Sequence, residues 1–353
     1  MKGAMMLGRL SFAVAVLVLA GCASRTHDPP VKATLHLVID AGSTGTRFCL
    51  YEIERTAGGA CRAPAPPSAV AECRPVSAPN GLADLDLESA IGVVDAGLNA
   101  LGRETSSRVA QAALLGTGGF RRQPPQEQAR ILMELRARFA DRIAYIDVIS
   151  GEMEGVLAWR SAEQRGTVAP FATLEIGGAT VQYAAGTSAA SVQAVSAPIG
   201  LTAARTALTR ARRYEACRID DEGGSSYAAC RAALVAAVFG DPGLGELASL
   251  VPAQARARLV GLGAPWGQAA KIAGQTRLTH AGLRREAETI CPMPLAQARQ
   301  RVGEHWSPPL ACLLFTYAAS LLEAVGADKI EVSGESWPRG AAVSPEVFSA
   351  CRQ

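Results

Sequence analysis

This chain has no C-x-x-C pair, and its four histidines, His27, His36, His280 and His305, are scattered. A structural zinc site needs closely spaced Cys and His ligands, so that class of small metal-stapled domain is disfavoured. Nor is there an excess of either charge: 35 Lys and Arg stand against 32 Asp and Glu, for a net charge of +3. That balance argues against a nucleic-acid partner or a polybasic membrane contact. The early apolar run, Leu10 to Ala20, falls short of the ~20 residues that cross a bilayer. Long low-complexity tracts are missing too, so nothing marks a disordered region.

What the N-terminus does have is the layout of an export signal. Lys2 and Arg9 precede the apolar run, and Leu19-Ala20-Gly21-Cys22 closes it. Small residues before a cysteine mark a lipoprotein cleavage site, so residues 1–21 read as a cleaved signal and Cys22 as the acylated first residue. Acyl chains anchor in proportion to the CH₂ groups they bury. Ala23, rather than Asp, follows Cys22, which resembles the bacterial sorting pattern for the outer membrane. Residues 22–32, with Pro29-Pro30, read as a tether. The expected location is the cell envelope, lipid-anchored, with the membrane face left open.

Export makes disulfides the expected fate of the remaining cysteines. Closeness in sequence suggests Cys61 with Cys73, Cys217 with Cys230, and Cys291 with Cys312. Cys49 and Cys351 are then left either to pair or to remain buried thiols.

Along the chain, apolar patterning predicts strands at 34–40, 47–53 and 70–76. A helix is expected over 87–101 with Asp86 as its cap, a buried strand over 109–115, an amphipathic helix over 124–139 and a strand over 144–149. The pattern then restarts with strands at 171–176, 180–185 and 191–196. Helical stretches are predicted at 202–212, 227–239, 244–262 and 310–325, and a last strand at 329–332. The repeat of strand, glycine loop and returning strand suggests an internal duplication. It predicts an α/β chain in two lobes, one formed by 33–149 with 331–353 and the other by 150–330.

The two glycine loops are the chemical signal. One is Asp40-Ala41-Gly42-Ser43-Thr44-Gly45-Thr46-Arg47, the other Glu175-Ile176-Gly177-Gly178-Ala179-Thr180-Val181-Gln182. Each follows a strand that ends near a carboxylate. Such turns offer backbone N–H groups and hydroxyls to an anion, with glycine expected for positive φ and close approach. Two of them facing each other would clasp one phosphate chain, with a carboxylate beside each for a metal. That points to phosphoryl transfer in an interlobe crevice.

Three further segments carry candidate chemistry: Thr117-Gly118-Gly119-Phe120-Arg121, Glu152-Met153-Glu154-Gly155 with Trp159, and Trp337 with Gly340. Taken in order with the two loops, they resemble the five short motifs of the apyrases, or nucleoside triphosphate diphosphohydrolases, including the guanosine-diphosphatase branch, to whose wording Asp40 to Arg47 is closest. The resemblance implies a two-lobed actin/hexokinase-like (ribonuclease H-like) fold. It also implies hydrolysis of terminal phosphates of nucleoside tri- and diphosphates with Mg²⁺ or Ca²⁺. A monomer is expected. The resemblance assigns Ser43, Thr44, Gly45, Thr46, Gly177, Gly178 and Ala179 to the phosphates, and Asp40 and Glu175 to the water shell of the metal. Glu154 becomes the general base, Thr180 and Gln182 orient the attacking water, and Thr117 and Arg121 line the terminal-phosphate pocket.

Glu152 is a decoy for Glu154; the following Gly155 favours Glu154. Trp337 reads as a core anchor and Trp159 as helix packing. Two positions depart from the family pattern: Glu175 stands where Asp is usual, and Gly118 where Ala is usual. The base-binding surface is left among Trp266, Tyr214, Tyr227, His305 and Trp306. Rival readings are an exopolyphosphatase or guanosine-pentaphosphate phosphohydrolase, and a nucleotide-binding protein without turnover.

Overall fold

The computed structural model describes residues 34–56, 58–64, 71–76, 81–240, 258–303 and 306–352. The signal segment, Cys22, the tether and His305 lie outside the described residues. No described helix is long and apolar enough to cross a membrane.

Two mixed sheets form the framework, and both follow the same course. In the first, β1 (Thr34–Ala41) turns back into β2 (Thr46–Arg55). Two short strands, β3 (Cys61–Arg62) and β4 (Ala71–Val76), pair antiparallel with β2. On the other side of β1 lie the parallel strands β5 (Val109–Gly116) and β6 (Tyr145–Val148). In the second sheet, β7 (Phe171–Ile176) turns back into β8 (Val181–Gly186), which pairs with β9 (Gln193–Ala197). β10 (Leu259–Leu262) and β12 (Lys329–Val332) then run parallel to β7, and β11 (Arg277–Thr279) closes the edge. Each sheet is thus a meander followed by two parallel strands, the duplication that the repeated glycine loops suggest.

Helices cover these sheets. After β4 come α1 (Leu87–Ala100) and α2 (Gly102–Arg108); α3 (Gly118–Arg121) and α4 (Pro125–Phe139) link β5 to β6. Asp86 caps α1 as expected, its carboxylate accepting from Ser89 N–H at 2.9 Å. α5 (Gly151–Gln164) follows β6. The second half adds α6 (Leu201–Arg210), α7 (Tyr227–Ala237), α8 (Ala264–Ala273), α9 (His280–Ile290), α10 (Leu295–Val302), α11 (Ala311–Ala324) and α12 (Pro338–Ala342).

β1 is buried on both faces, which is why its alternation is hidden in a continuous apolar run. Leu37 and Ile39 pack with Phe48, Leu114, Val94 of α1 and Leu135 of α4. Val38 faces the opposite way, into a core shared by both sheets with Trp159, Phe171, Val260, Trp337 and Phe348. A third core packs the second sheet against α11, whose residues from Ala311 to Leu322 are all buried. Trp159 acts as packing, stacked on Phe171 at 4.4 Å and donating to the Phe171 carbonyl.

Two expectations need correction. The helix predicted over 244–262 does not extend to its end: residues 241–257 lie outside the described residues, and Leu259–Leu262 is a strand between β7 and β12. A four-residue apolar run buried on both faces has no period that separates strand from helix. The disulfide scheme also changes. Cys217–Cys230 and Cys291–Cys312 form as expected, but Cys61 does not pair with Cys73. Cys49 and Cys73 are direct cross-strand partners in the β2–β4 register and bond to each other. Cys61 instead joins Cys351, 290 positions away, tying the C-terminus to β3.

Candidate active site

The two glycine turns have the same construction. The β1–β2 register ends at Ala41 opposite Thr46, leaving 42–45 as the loop, and Gly42 N–H closes it onto Gly45 O at 3.1 Å. The β7–β8 register ends at Ile176 opposite Val181, leaving 177–180, and Gly177 N–H closes onto Thr180 O at 2.9 Å. Of the two expected reasons for glycine, close approach is the commoner. Gly45 has a positive φ, but Gly42, Gly177 and Gly178 do not; Gly42 and Gly177 are crowded by their own turns, and Gly178 by the opposite loop. A Cβ on Gly178 would lie 2.6 Å from Thr44 Cγ2, and one on Gly118 would lie 2.8 Å from the Ala179 Cβ. Gly118 in place of Ala therefore makes room for Ala179.

Between the loops is a cavity of about 500 Å³. Its lining includes Asp40, the whole of 42–47, Thr117, Gly118, Glu154, Glu175 and 177–180. The structure thus gathers nearly all of the sequence-predicted site residues around one space. Gln182 and Arg121 are not on its wall; they stand behind Glu154 and hold it. Arg121 Nη2 donates to Glu154 Oε2 at 2.8 Å, and Gln182 Nε2 donates to the same oxygen at 3.1 Å. Arg121 is in turn fixed by the Ile149 carbonyl, and Gln182 by Thr180 Oγ1 at 2.6 Å.

Glu154 sits in the first turn of α5, capped by Ser150, where the helix dipole favours a carboxylate. It is 5 % exposed, whereas Glu152 points to solvent, which separates the base candidate from its decoy. Gly155 lets α5 approach the second sheet, since a Cβ there would meet the Ala194 Cβ at 2.9 Å. Burial pushes the Glu154 carboxyl up to about 7, with Arg121 opposing the rise. Burial, helped by the charge of Glu154, pushes Glu175 up to about 8. Asp40 is also raised by burial, against the pull of Arg47, which pairs with its Oδ2 at 2.5 Å.

No three His, Cys, Asp or Glu side chains among the described residues converge closely enough to ligate an ion directly. Asp40 Oδ1 and Glu175 Oε2, however, are buried oxygens without a hydrogen-bond partner. Two such hard acceptors on one cavity suit a cation that keeps most of its water, as Mg²⁺ does. The residues present fit a divalent cation held through its hydration shell.

Several lining residues carried no signal in sequence. Pro75 of β4, Leu201 and Thr202 at the start of α6, and Ser336 reach the cavity only through the fold. Ser196 on β9 meets Gln182 Nε2 at 3.3 Å. Of the base-surface candidates, Trp306 lines the cavity, with its indole Nε1 unpartnered. Trp266 is fully buried in the core, Tyr214 packs on that core, and Tyr227 lines a separate surface hollow with Arg231 and Arg284. Trp337 is a buried core residue that also lines the cavity.

No family model matches this chain, and no curated protein matches it. Solved structures do share its fold. A Ppx/GppA family member from Aquifex aeolicus superposes with a TM-score of 0.64 at 16% identity, covering 91% of this chain and 100% of its own. An exopolyphosphatase from Cytophaga hutchinsonii gives 0.58 at 15%, covering 87% and 96%. A nucleoside triphosphate hydrolase from Neospora caninum gives 0.59 at 14%, covering 89% and 91%. At these identities the likeness is one of architecture: the chain has the two-lobed actin/hexokinase-like fold.

Proposed function

We propose that this protein hydrolyses the terminal phosphoanhydride bond of nucleoside tri- and diphosphates, with water deprotonated by Glu154. The observation that carries the reading is the meeting of Glu154 and both glycine turns on one cavity. Phosphoryl transfer passes through a loose transition state that needs positioning and charge neutralisation more than covalent help. The amides and hydroxyls of 43–46 and 177–180 grip the phosphates from two sides, and Arg47 and Thr117 add donors on the same wall. Arg121 and Gln182 hold one oxygen of Glu154 and so fix the direction of its carboxyl. With that carboxyl near neutrality, it takes a proton from water and returns it readily. A divalent cation, Mg²⁺ or Ca²⁺, held through water by Asp40 and Glu175, would supply further charge neutralisation.

Apolar residues in the cavity lining favour a nucleotide over a bare phosphate chain. Ile176, Leu201, Pro265 and Trp306 are among them, and inorganic polyphosphate offers nothing for them to pack against. A second reading, exopolyphosphatase or guanosine-pentaphosphate phosphohydrolase, draws on the likeness to the Aquifex and Cytophaga structures. Phosphate release from ATP, GTP, ADP, GDP and polyphosphate, with and without Mg²⁺ or Ca²⁺, separates the two. A mature protein inert on every substrate would defeat both. The sequence further supports an envelope protein anchored at Cys22; acyl labelling that persists in Cys22→Ser would remove that part.

A further inference from the structure

Glu175 is one methylene longer than the Asp usual at its motif position, and the added reach ends on the segment after β12. Its Oε1 accepts from the Ser336 hydroxyl and, at 3.4 Å, from Trp337 N–H. That segment is itself anchored. Ser161 Oγ donates to the Ser336 carbonyl at 2.9 Å, Gly263 N–H to the Glu335 carbonyl at 2.7 Å, and Ser333 N–H to the Gly261 carbonyl at 3.0 Å. The Glu335 carboxylate is forked by Arg339 and also accepts from Arg165 at 2.7 Å.

With Oε1 clamped, Glu175 Oε2 is left buried and without a partner. Asp40 repeats the pattern: Oδ2 lies on Arg47 and Oδ1 has no partner. An unmatched buried acceptor is costly, and here two of them border one cavity that Ser336 also lines. The duplication places Ser336 tellingly. The segment after β12 in the second sheet corresponds to the segment after β6 in the first, which carries Glu154.

We propose that Ser336 is a positioning residue: its hydroxyl, with Trp337 N–H, fixes the rotation of the Glu175 carboxyl so that Oε2 faces a hydrated divalent cation shared with Asp40. Ser336 thereby sets the affinity for that ion. The inference rests on the reading of the cavity as a cation-assisted phosphate site. Outer partners that orient ligand groups typically govern 10- to 100-fold of affinity.

The test is Mn²⁺ binding to the mature protein, read from the electron paramagnetic resonance signal of the free ion. Wild type should bind Mn²⁺, and Ser336→Ala should bind it about 10- to 100-fold more weakly. Ser336→Thr, which keeps the hydroxyl, should return close to wild type. Should Ser336→Ala fail to fold, Ser336→Cys preserves the shape with a weaker donor and should also lose affinity. Wild type that binds no Mn²⁺, folded Ala and Cys variants that bind as wild type does, or a folded Thr variant as weak as Ala would overturn the proposal. Phosphate release is read separately. Turnover with Mn²⁺ affinity unmoved by Ser336→Ala sinks this inference alone. Ser336-dependent binding in a protein that hydrolyses nothing sinks the hydrolase reading alone.

Discussion

A Cβ placed on Gly178 would come within 2.7 Å of Ser43 Oγ, so the two glycine turns that line the cavity approach each other closely. Residue 178 belongs to the loop of the second sheet and residue 43 to that of the first. Their contact is what makes the two turns one site instead of two.

The contact predicts the effect of Gly178→Ala. The atoms in the way are side-chain ends, Ser43 Oγ and Thr44 Cγ2, which can rotate aside, so the variant should fold with little loss of stability. The displaced hydroxyls would no longer meet the phosphates in register, and misplacement of about 1 Å can cost on the order of 10²-fold in rate. We expect kcat/KM to fall by about that factor while the melting temperature stays near wild type. Gly200→Ala is the contrast. Its Cβ would lie 2.5 Å from the backbone nitrogen of Thr180, so it should lower both activity and melting temperature.

The raised carboxyls predict two pH effects of opposite sign. Glu154 acts as a base only when ionised, and burial lifts it to about 7. The kcat/KM profile, which reports the free enzyme, should therefore fall as pH drops below about 7; Glu154→Gln should abolish turnover. Stability runs the other way. Above their ordinary value of 4.5, Glu154 and Glu175 hold protons in the fold that the unfolded chain has already released. The unfolded state then binds fewer protons, so stability declines as pH rises from about 4.5 towards 8. Melting curves in chelator should show this decline, and Glu175→Gln should flatten it.

How far the sequence exposed this site depends on the kind of element. The loops and their strands were legible because buried strands ending in Gly-rich turns leave a contiguous signature, as at 37–46 and 174–181. Glu154 was legible through Gly155, which the close approach of α5 to β9 requires. Ser336 and Ser196 were not, since a serine near a strand end looks like any turn residue until the sheet order places it. Closeness in sequence found Cys217–Cys230 and Cys291–Cys312, but it missed the other two pairs for a related reason. Cys49 and Cys73 face each other only through the β2–β4 register, and proximity in sequence favoured Cys61 instead.

The Cys61–Cys351 bond closes the longest loop among the disulfides, a separation of 290 residues. It fastens the segment after α12 to the first sheet, where Phe348 packs on His36. Removing a native disulfide typically costs about 2–5 kcal/mol. Cys61→Ser with Cys351→Ser should lose stability in that range by denaturant unfolding. Activity at low temperature should survive, because neither cysteine borders the cavity.

Trp306 decides between the two substrate readings. Among the described base-surface candidates it is the one that lines the cavity, whose lining also includes Leu201 and Pro265. Stacking of a base on an aromatic ring is worth about 1–3 kcal/mol, which is about 5- to 150-fold in affinity. Trp306→Ala should therefore raise KM for ATP and GTP by about that factor and leave kcat largely intact, since a ring stacked on the base acts away from the bond that breaks. Polyphosphate has no base to stack, so any turnover of it should be unchanged. Equal losses on nucleotide and polyphosphate would show that Trp306 shapes the cavity without reading the base. Michaelis curves for both substrates on the two proteins provide the measurement.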